Sequence, residues 1–262
     1  MWWEPFTFQD GQWYLWRLSG AEIFIRRKEK TWHGFCRDIR WGQRGESCIE
    51  PVQEEPSGLG DAETNVLTRK TAALRPYLPE KPFLIRLGGL KLFPGMKITV
   101  DAQFPPLLRL VAEKSGGTTK HIFCFAPYTL KETWYGKNSM EGFLCSSLPV
   151  NTGGSCDLAV NCSVQIRNRT KTVLELDTIP LYTSALSIYE KNGKLICDTL
   201  LIDAMDDDFY MTIDNTGDEH GTLLAQGNNN DPNLIQWGSS VLSGIGEGFR
   251  QKKRKIKNLA GH

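Results

Sequence analysis

The sequence lacks the loops that hold nucleotides. Gly88-Gly-Leu-Lys91 and Ser115-Gly-Gly-Thr-Thr-Lys120 set glycine near lysine, but neither has the GxxxxGK[ST] spacing whose backbone amides cradle phosphate. Both read as turns between strands. No GxGxxG follows a strand, and no GxSxG elbow marks a serine hydrolase. CxxC is also missing. The seven cysteines, at 36, 48, 124, 145, 156, 162 and 197, are odd in number and irregular in spacing, so a disulfide scaffold is excluded and a reducing, cytoplasmic setting is expected. No run approaches the roughly 18 apolar residues of a membrane-spanning helix. Met1-Trp2-Trp3-Glu4-Pro5 has neither the basic nor the apolar part of a secretory signal. Charge of one sign is absent overall, since the formal net charge is +1, so no global field draws the chain to nucleic acid.

What is present is a large core. The chain has 262 residues, 40% hydrophobic and 23% charged, which argues against disorder and needs neither metal nor disulfide for stability. Charge is uneven along it. No Lys or Arg lies between Lys194 and Arg250, where Asp198, Asp203, Asp206, Asp207, Asp208, Asp214, Asp218, Glu219, Asp231 and Glu247 collect. Arg250, Lys252, Lys253, Arg254, Lys255 and Lys257 then follow with no acid among them.

Short β-rich runs dominate. Gln12–Leu18 and Ala21–Arg26, joined at Ser19-Gly20, suggest a hairpin. Its Trp density suits either a heavily packed sheet or a stacking platform for sugar or base. Residues 40–82, rich in Gly and Pro, read as a long irregular connection, with at most a short helix near Asp61–Leu74 or a strand-bearing arm. Phe83–Leu87, Met96–Ala102, Leu107–Ala112 and Lys120–Ala126 are strands by composition and spacing. Leu158 to Arg167 alternates with strict period two, as in a half-buried antiparallel strand. Asn168-Arg-Thr-Lys171 turns the chain so that Thr172–Ile179 runs back. Leu186–Glu190 and Leu195–Ile202 flank Asn192-Gly193, a type I′ hairpin signal. No long amphipathic helix supplies parallel crossovers, so the chain is expected to be all-β, an antiparallel β-sandwich-like fold with a basic C-terminal tail. The expected organisation is a strand-rich part over 1–150, a sandwich-like part over 151–235 and a flexible basic tail over 236–262, the first two being either separate parts or one continuous domain up to 235.

Lys131-Glu-Thr-Trp134-Tyr135-Gly136-Lys-Asn-Ser-Met140-Glu-Gly142-Phe143 and the Asn168 turn followed by Thr172–Leu181 together resemble a "domain of unknown function" family, seen mainly in archaea and some anaerobic bacteria. The likeness covers roughly Trp13 to Ile213 and leaves the tail after Asn233 outside. It implies a β-rich fold and no established activity, so no functional residue is carried over.

Several constellations bring together residue types that carry chemistry. His33-Gly-Phe-Cys36 and His121-Ile-Phe-Cys124 share a HxxC spacing that two pairs would need for a Cys2His2 zinc site. Residues three apart on a strand face opposite ways, however, so each pair needs a bulge or turn to meet. Asp206–Asp208 and Asp214–Glu219 lack the EF-hand pattern and read as a solvated acidic rim. No metal site and no cofactor is therefore expected. The segment at Trp134, Tyr135 and Lys137 is a candidate ligand loop between turn glycines. In the tail, Val241, Leu242, Ile245 and Phe249 have rough helical spacing. The six basic residues from Arg250 to Lys257 behind them suit contact with an anionic surface, membrane or nucleic acid, or a return onto the acidic region. The function expected is a non-catalytic binding or scaffold module, with a protein partner and an electrostatic tail. The alternative is a small-ligand protein or enzyme using the Trp134–Tyr135 loop.

Overall fold

The computed structural model describes residues 2–18, 21–37, 48–53, 56, 63–66, 68–113, 119–127, 130–136, 142–147, 158–205, 208–214, 221–227, 235–238 and 252–253. All regular structure among them is strand. No helix among the described residues is long and apolar enough to cross a membrane.

In chain order the strands begin with β1 (Phe6–Thr7), β2 (Trp13–Leu18), β3 (Ala21–Lys28), β4 (Thr31–Arg37), β5 (Cys48–Val52), β6 (Glu63–Val66) and β7 (Thr71–Tyr77). Next come β8 (Phe83–Leu92), β9 (Lys97–Phe104), β10 (Leu107–Glu113), β11 (Thr119–Phe125), β12 (Lys131–Gly136), β13 (Gly142–Ser147), β14 (Val160–Asn168) and β15 (Leu174–Leu181). The rest are β16 (Ile188–Lys191), β17 (Lys194–Cys197), β18 (Thr199–Met205), β19 (Asp208–Asp214), β20 (Thr222–Ala225), β21 (Ile235–Gly238) and β22 (Lys252–Lys253). The chain divides into two compact units. One comprises Met1–Tyr77, Pro105–Thr129 and Val150–Ala159, the other Leu78–Phe104, Leu130–Pro149 and Val160–His262. The units interleave along the sequence, so this partition differs from cuts at 150 and 235.

The first unit holds two antiparallel sheets, in the orders β5-β2-β3-β4-β6 and β1-β7-β10-β11. The β2–β3 hairpin forms where the β-rich runs place it, from Trp13 opposite Arg26 to Leu18 opposite Ala21. One face of β2 joins an edge-to-face aromatic cluster of Phe6, Phe8, Tyr14, Trp16 and Trp32. The other face buries Trp13 and Leu15 with Phe24, against Phe35 and Val52. The guanidinium of Arg26 lies 4.5 Å from the Trp13 ring centroid and covers that face as a cation–π lid. Trp2, Trp3, Trp13, Trp16 and Trp32 are all buried. The Trp density is therefore core, and the stacking-platform reading does not hold for these residues. Arg27, also buried, is paired with Asp10 at 2.7 Å and donates to the carbonyls of Thr68 and Arg69, which offsets the desolvation of its charge. The two sheets meet where Gly34 of β4 abuts the ring of Phe123 on β11. A Cβ at Gly34 would stand 2.7 Å from that ring, so only glycine allows this approach.

Among the described residues, 40–82 carry three strands, β5, β6 and β7, and the region expected to be helix near 61–74 holds β6 and the start of β7 with an irregular link at 68–70. Two prolines obscured this. Pro51 sits on β5, an edge strand, and Pro76 lies beyond the end of β1, which pairs with β7 only at Thr71 and Ala72. Proline is tolerated at positions that have a strand on one side only. Ala72, Ala73 and Leu74 are all buried, so β7 has no alternation to announce it.

The second unit holds a sheet of order β12-β13-β8-β15 and a larger one of order β20-β16-β17-β14-β18-β19-β21-β22, with β9 also paired to β14. Period two in β14 appears as strict alternation of buried and half-buried residues. Its partners are mixed, however: β9 runs antiparallel to it, while β17 and β18 run parallel. The fold is thus all-β and mostly antiparallel, as expected, and the sheet around β14 is mixed. After the Asn168 turn, β15 pairs with β8 instead of returning along β14. Gly88 and Gly89, read as a turn, lie inside β8. Their φ values of 65° and 76° make a bulge where the β15 register slips between Leu176 and Thr178. The Asn192-Gly193 turn joins β16 to β17 with φ of 53° and 77°, the left-handed pair a type I′ turn needs. Phe83 of β8 packs edge-on against Phe104 of β9 at 5.4 Å between centroids.

Candidate functional site

The half-buried positions of β14 point away from the core, and with their neighbours they form a polar sheet face. A cavity of about 370 Å3 opens there, lined by Lys97, Gln165, Arg167, Arg169, Leu201, Ile202, Asp203 and Asp214. Strand pairing sets its geometry. Arg167 lies directly opposite Lys97 on one side and directly opposite Asp203 on the other. Asp203 takes both guanidinium groups, with Arg169 Nε at 2.9 Å and Arg167 Nε at 4.0 Å. Lys97 has no carboxylate partner among the described residues. Like charges directly opposite on neighbouring strands cost up to about 1 kcal/mol relative to neutral pairs. Volume and polarity fit a small ligand. Alternation along β14 announces its polar positions, but reading these cations as one site requires knowing that β9 pairs with β14, which no local pattern reveals.

Beside this face the register of β14 against β17 and β18 advances by one residue across Asp198. That extra residue turns the Asp198 carboxylate inward. It accepts from the Ser187 N–H at 2.7 Å and the Tyr189 hydroxyl at 3.1 Å, while the Gly227 N–H donates to Ser187 Oγ at 3.2 Å. Asp198 is therefore a buried clasp. The Cys197 thiol next to it is pushed well up by burial, with the Cys162 thiol adding to the shift, and it donates to the Asn161 carbonyl. A thiol held protonated in this way is inert.

The ligand loop expected at Trp134, Tyr135 and Lys137 divides. Trp134 and Tyr135 lie on β12, the end strand of its sheet. Trp134 is exposed and stands directly opposite Leu144 of β13, which is exposed too. Tyr135 faces inward, donates its hydroxyl to the Thr178 carbonyl at 3.2 Å, and has its ionisation pushed up by burial, so it is not an accessible contact. Neighbouring residues on a strand point to opposite faces, which is why the pair cannot act together. Lys137 lies outside the described residues.

The two HxxC pairs also part. β4 pairs with β3 without a register shift, so His33 and Cys36 point to opposite sides. On β11 the pairing moves from Leu110 opposite Phe123 to Val111 opposite His121, which makes Ile122 an extra residue. This bulge brings His121 Nε2 to 3.1 Å from Cys124 Sγ. No group of three or more His, Cys, Asp or Glu able to hold a metal occurs among the described residues. Of the basic tail, Lys252 and Lys253 form β22, paired with β21. Arg250, Arg254, Lys255 and Lys257 lie outside the described residues, as do Asp206, Asp207 and residues 215–220.

An all-β chain of two units, with a polar cavity on one sheet face, is the class these observations define. The chain belongs to the family described as "Protein of unknown function (DUF432)", whose model matches residues 2–229. No curated protein and no solved structure matches it.

Proposed function

We propose that the protein is a non-catalytic binding module that takes a small anion, bearing phosphate or carboxylate, in the cavity over β9, β14 and β18. The observation that carries this reading is Lys97 directly opposite Arg167, with Arg169 adjoining, three cations against the two carboxylates Asp203 and Asp214 in the same lining, and Asp203 shared by the two arginines. An anion bridging Lys97 and Arg167 relieves their repulsion and gains charge-assisted hydrogen bonds. The basic residues from Arg250 to Lys257 extend the same chemistry as an electrostatic contact to an anionic surface. Free thiols at Cys145, Cys162 and Cys197 suit a reducing, cytoplasmic setting.

Thermal unfolding in inorganic phosphate or citrate, against chloride at equal ionic strength, tests this. A ligand at ten times its Kd adds about 1.4 kcal/mol and raises Tm by a few degrees in a chain of this size. Lys97→Gln and Arg167→Gln should abolish that rise. Equal Tm in phosphate, citrate and chloride, or an undiminished rise in both variants, would sink the reading. A second reading rests on exposed Trp134 of the end strand β12, with exposed Leu144 of β13 opposite it, which suits a protein partner adding a strand. Trp134→Ala separates the two, since it should leave the anion response intact.

A further inference from the structure

Away from the cavity, the HxxC pair on β11 is where a nucleophile meets a base. His121 and Cys124 are both exposed. They share a side only because of the extra residue at Ile122. Phe123 and Phe125 keep their inward packing against Gly34, so the bulge re-aims His121 without disturbing the core. Bulges of this kind often redirect a side chain beside a functional site.

Charge reinforces the pair. Cys124 stands directly opposite Arg109 of β10, and Arg109 directly opposite Arg75 of β7. Opposed residues have Cβ atoms about 4.5–5.5 Å apart. The exposed Arg109 guanidinium lies 4.4 Å from the Tyr77 ring centroid, which holds it over this face. In exchange chemistry the sulfur attacks as its proton is taken up by a base, and the imidazole of His121 stands within hydrogen-bond reach to take it. The Arg109 guanidinium attracts an anionic reagent.

We infer that Cys124 is a thiol–disulfide exchange site for small anionic disulfides, with His121 as its base and Arg109 as the anion contact. The Cys124 proton passes to His121 Nε2. The Cys124 sulfur attacks one sulfur of the incoming disulfide. A mixed disulfide forms as the reagent's S–S bond breaks, and the other half leaves as a thiolate. The incoming disulfide is the oxidant: Cys124 is oxidised and the departing half is reduced, so no further reactant is needed.

Cys48 supplies an internal comparison. It is also exposed and stands opposite Arg17, but that guanidinium is already held by Glu22 at 3.6 Å and Glu50 at 3.1 Å. The full chain would be treated with limiting dithiobis(nitrobenzoate), a dianionic aromatic disulfide, and each cysteine followed by peptide mass mapping. At about pH 7 Cys124 should react about tenfold faster than Cys48, because His121 stands within hydrogen-bond reach of the Cys124 sulfur as a general base. His121→Gln should bring Cys124 down to the Cys48 rate, with added imidazole restoring part of the difference. Arg109→Gln should slow the anionic reagent more than neutral dithiodipyridine. Equal rates for Cys124 and Cys48 in the unaltered chain, or an unchanged Cys124 rate in His121→Gln, overturns the inference. Equal slowing of both reagents in Arg109→Gln overturns the anion contact. The comparison within the unaltered chain depends on no variant folding.

Discussion

Asn168 uses every hydrogen-bonding position of its side chain. Its amide donates to the carbonyls of Leu92 at 2.9 Å and Thr172 at 2.8 Å, and its oxygen accepts from the Thr170 N–H and hydroxyl. Being fully buried, it ties the end of β14 to the end of β8 and to the turn that follows. Asn168→Ala removes all four of these bonds at a fully buried position, and we expect a loss of about 2–4 kcal/mol in urea unfolding. Asn168→Asp sets a carboxylate against two carbonyl oxygens and should be at least as damaging. A loss under about 0.5 kcal/mol for either would remove Asn168 from this role. Cys145 acts through ionisation instead. Burial pushes its thiol from 9.0 up to about 12. The folded chain therefore keeps the proton at a pH where the unfolded chain has released it. The stabilisation is fully present below about pH 9 and is lost as pH rises from there through about 12. Denaturant unfolding across that range should show stability falling with pH, and falling less steeply in Cys145→Ser. Parallel slopes for the two proteins would rule the thiol out as a contributor.

At the scale of the element, much was legible because the signal was local. The Asn192-Gly193 turn between β16 and β17 follows from the left-handed preference of two adjacent residues, and β14 from alternation along nine residues. What stayed hidden depends on a partner strand far along the chain. Gly88-Gly89 was read as a turn because left-handed glycines serve a turn and a bulge equally well; only pairing with β15 tells them apart. Gly34 looks like a spacer inside HxxC, yet it is the point where β4 and β11 meet. Ile122 carries no mark of being an extra residue, and without β10 beside it His121 and Cys124 would be placed on opposite faces. The cation cavity is hidden for the same reason, since Lys97 and Arg167 are ordinary solvent-facing positions until β9 and β14 are paired. Tyr135 was misread in the opposite direction: its neighbour Trp134 is exposed, and adjacency in sequence on a strand means opposite faces in space.

For the whole molecule, the interleaving of the two units has a consequence for any division of the chain. β14 is hydrogen-bonded to β9 from Val160 through Arg167, and β15 is bonded to β8 over almost its full length. Both of those partners precede residue 105, whereas β14 and β15 follow residue 159. A fragment of residues 151–262 would therefore leave one edge of its central strand open and the inward face of β15 without its sheet. Buried Val164, Ile166, Ile179 and Leu181 would then face water or a wrong partner. We expect this fragment to show no cooperative thermal transition and to aggregate. Mixing it with residues 1–150 during refolding should restore a cooperative transition, because the missing strands return as partners without needing covalent continuity. Such pairings are distant in sequence, so refolding of the intact chain should also be slow, limited by closing long loops before any sheet forms. If residues 151–262 melted cooperatively alone, the strands β16 to β22 with β14 would be sufficient for a core. The dependence of that half on β8 and β9 would then be a matter of stability and not of folding.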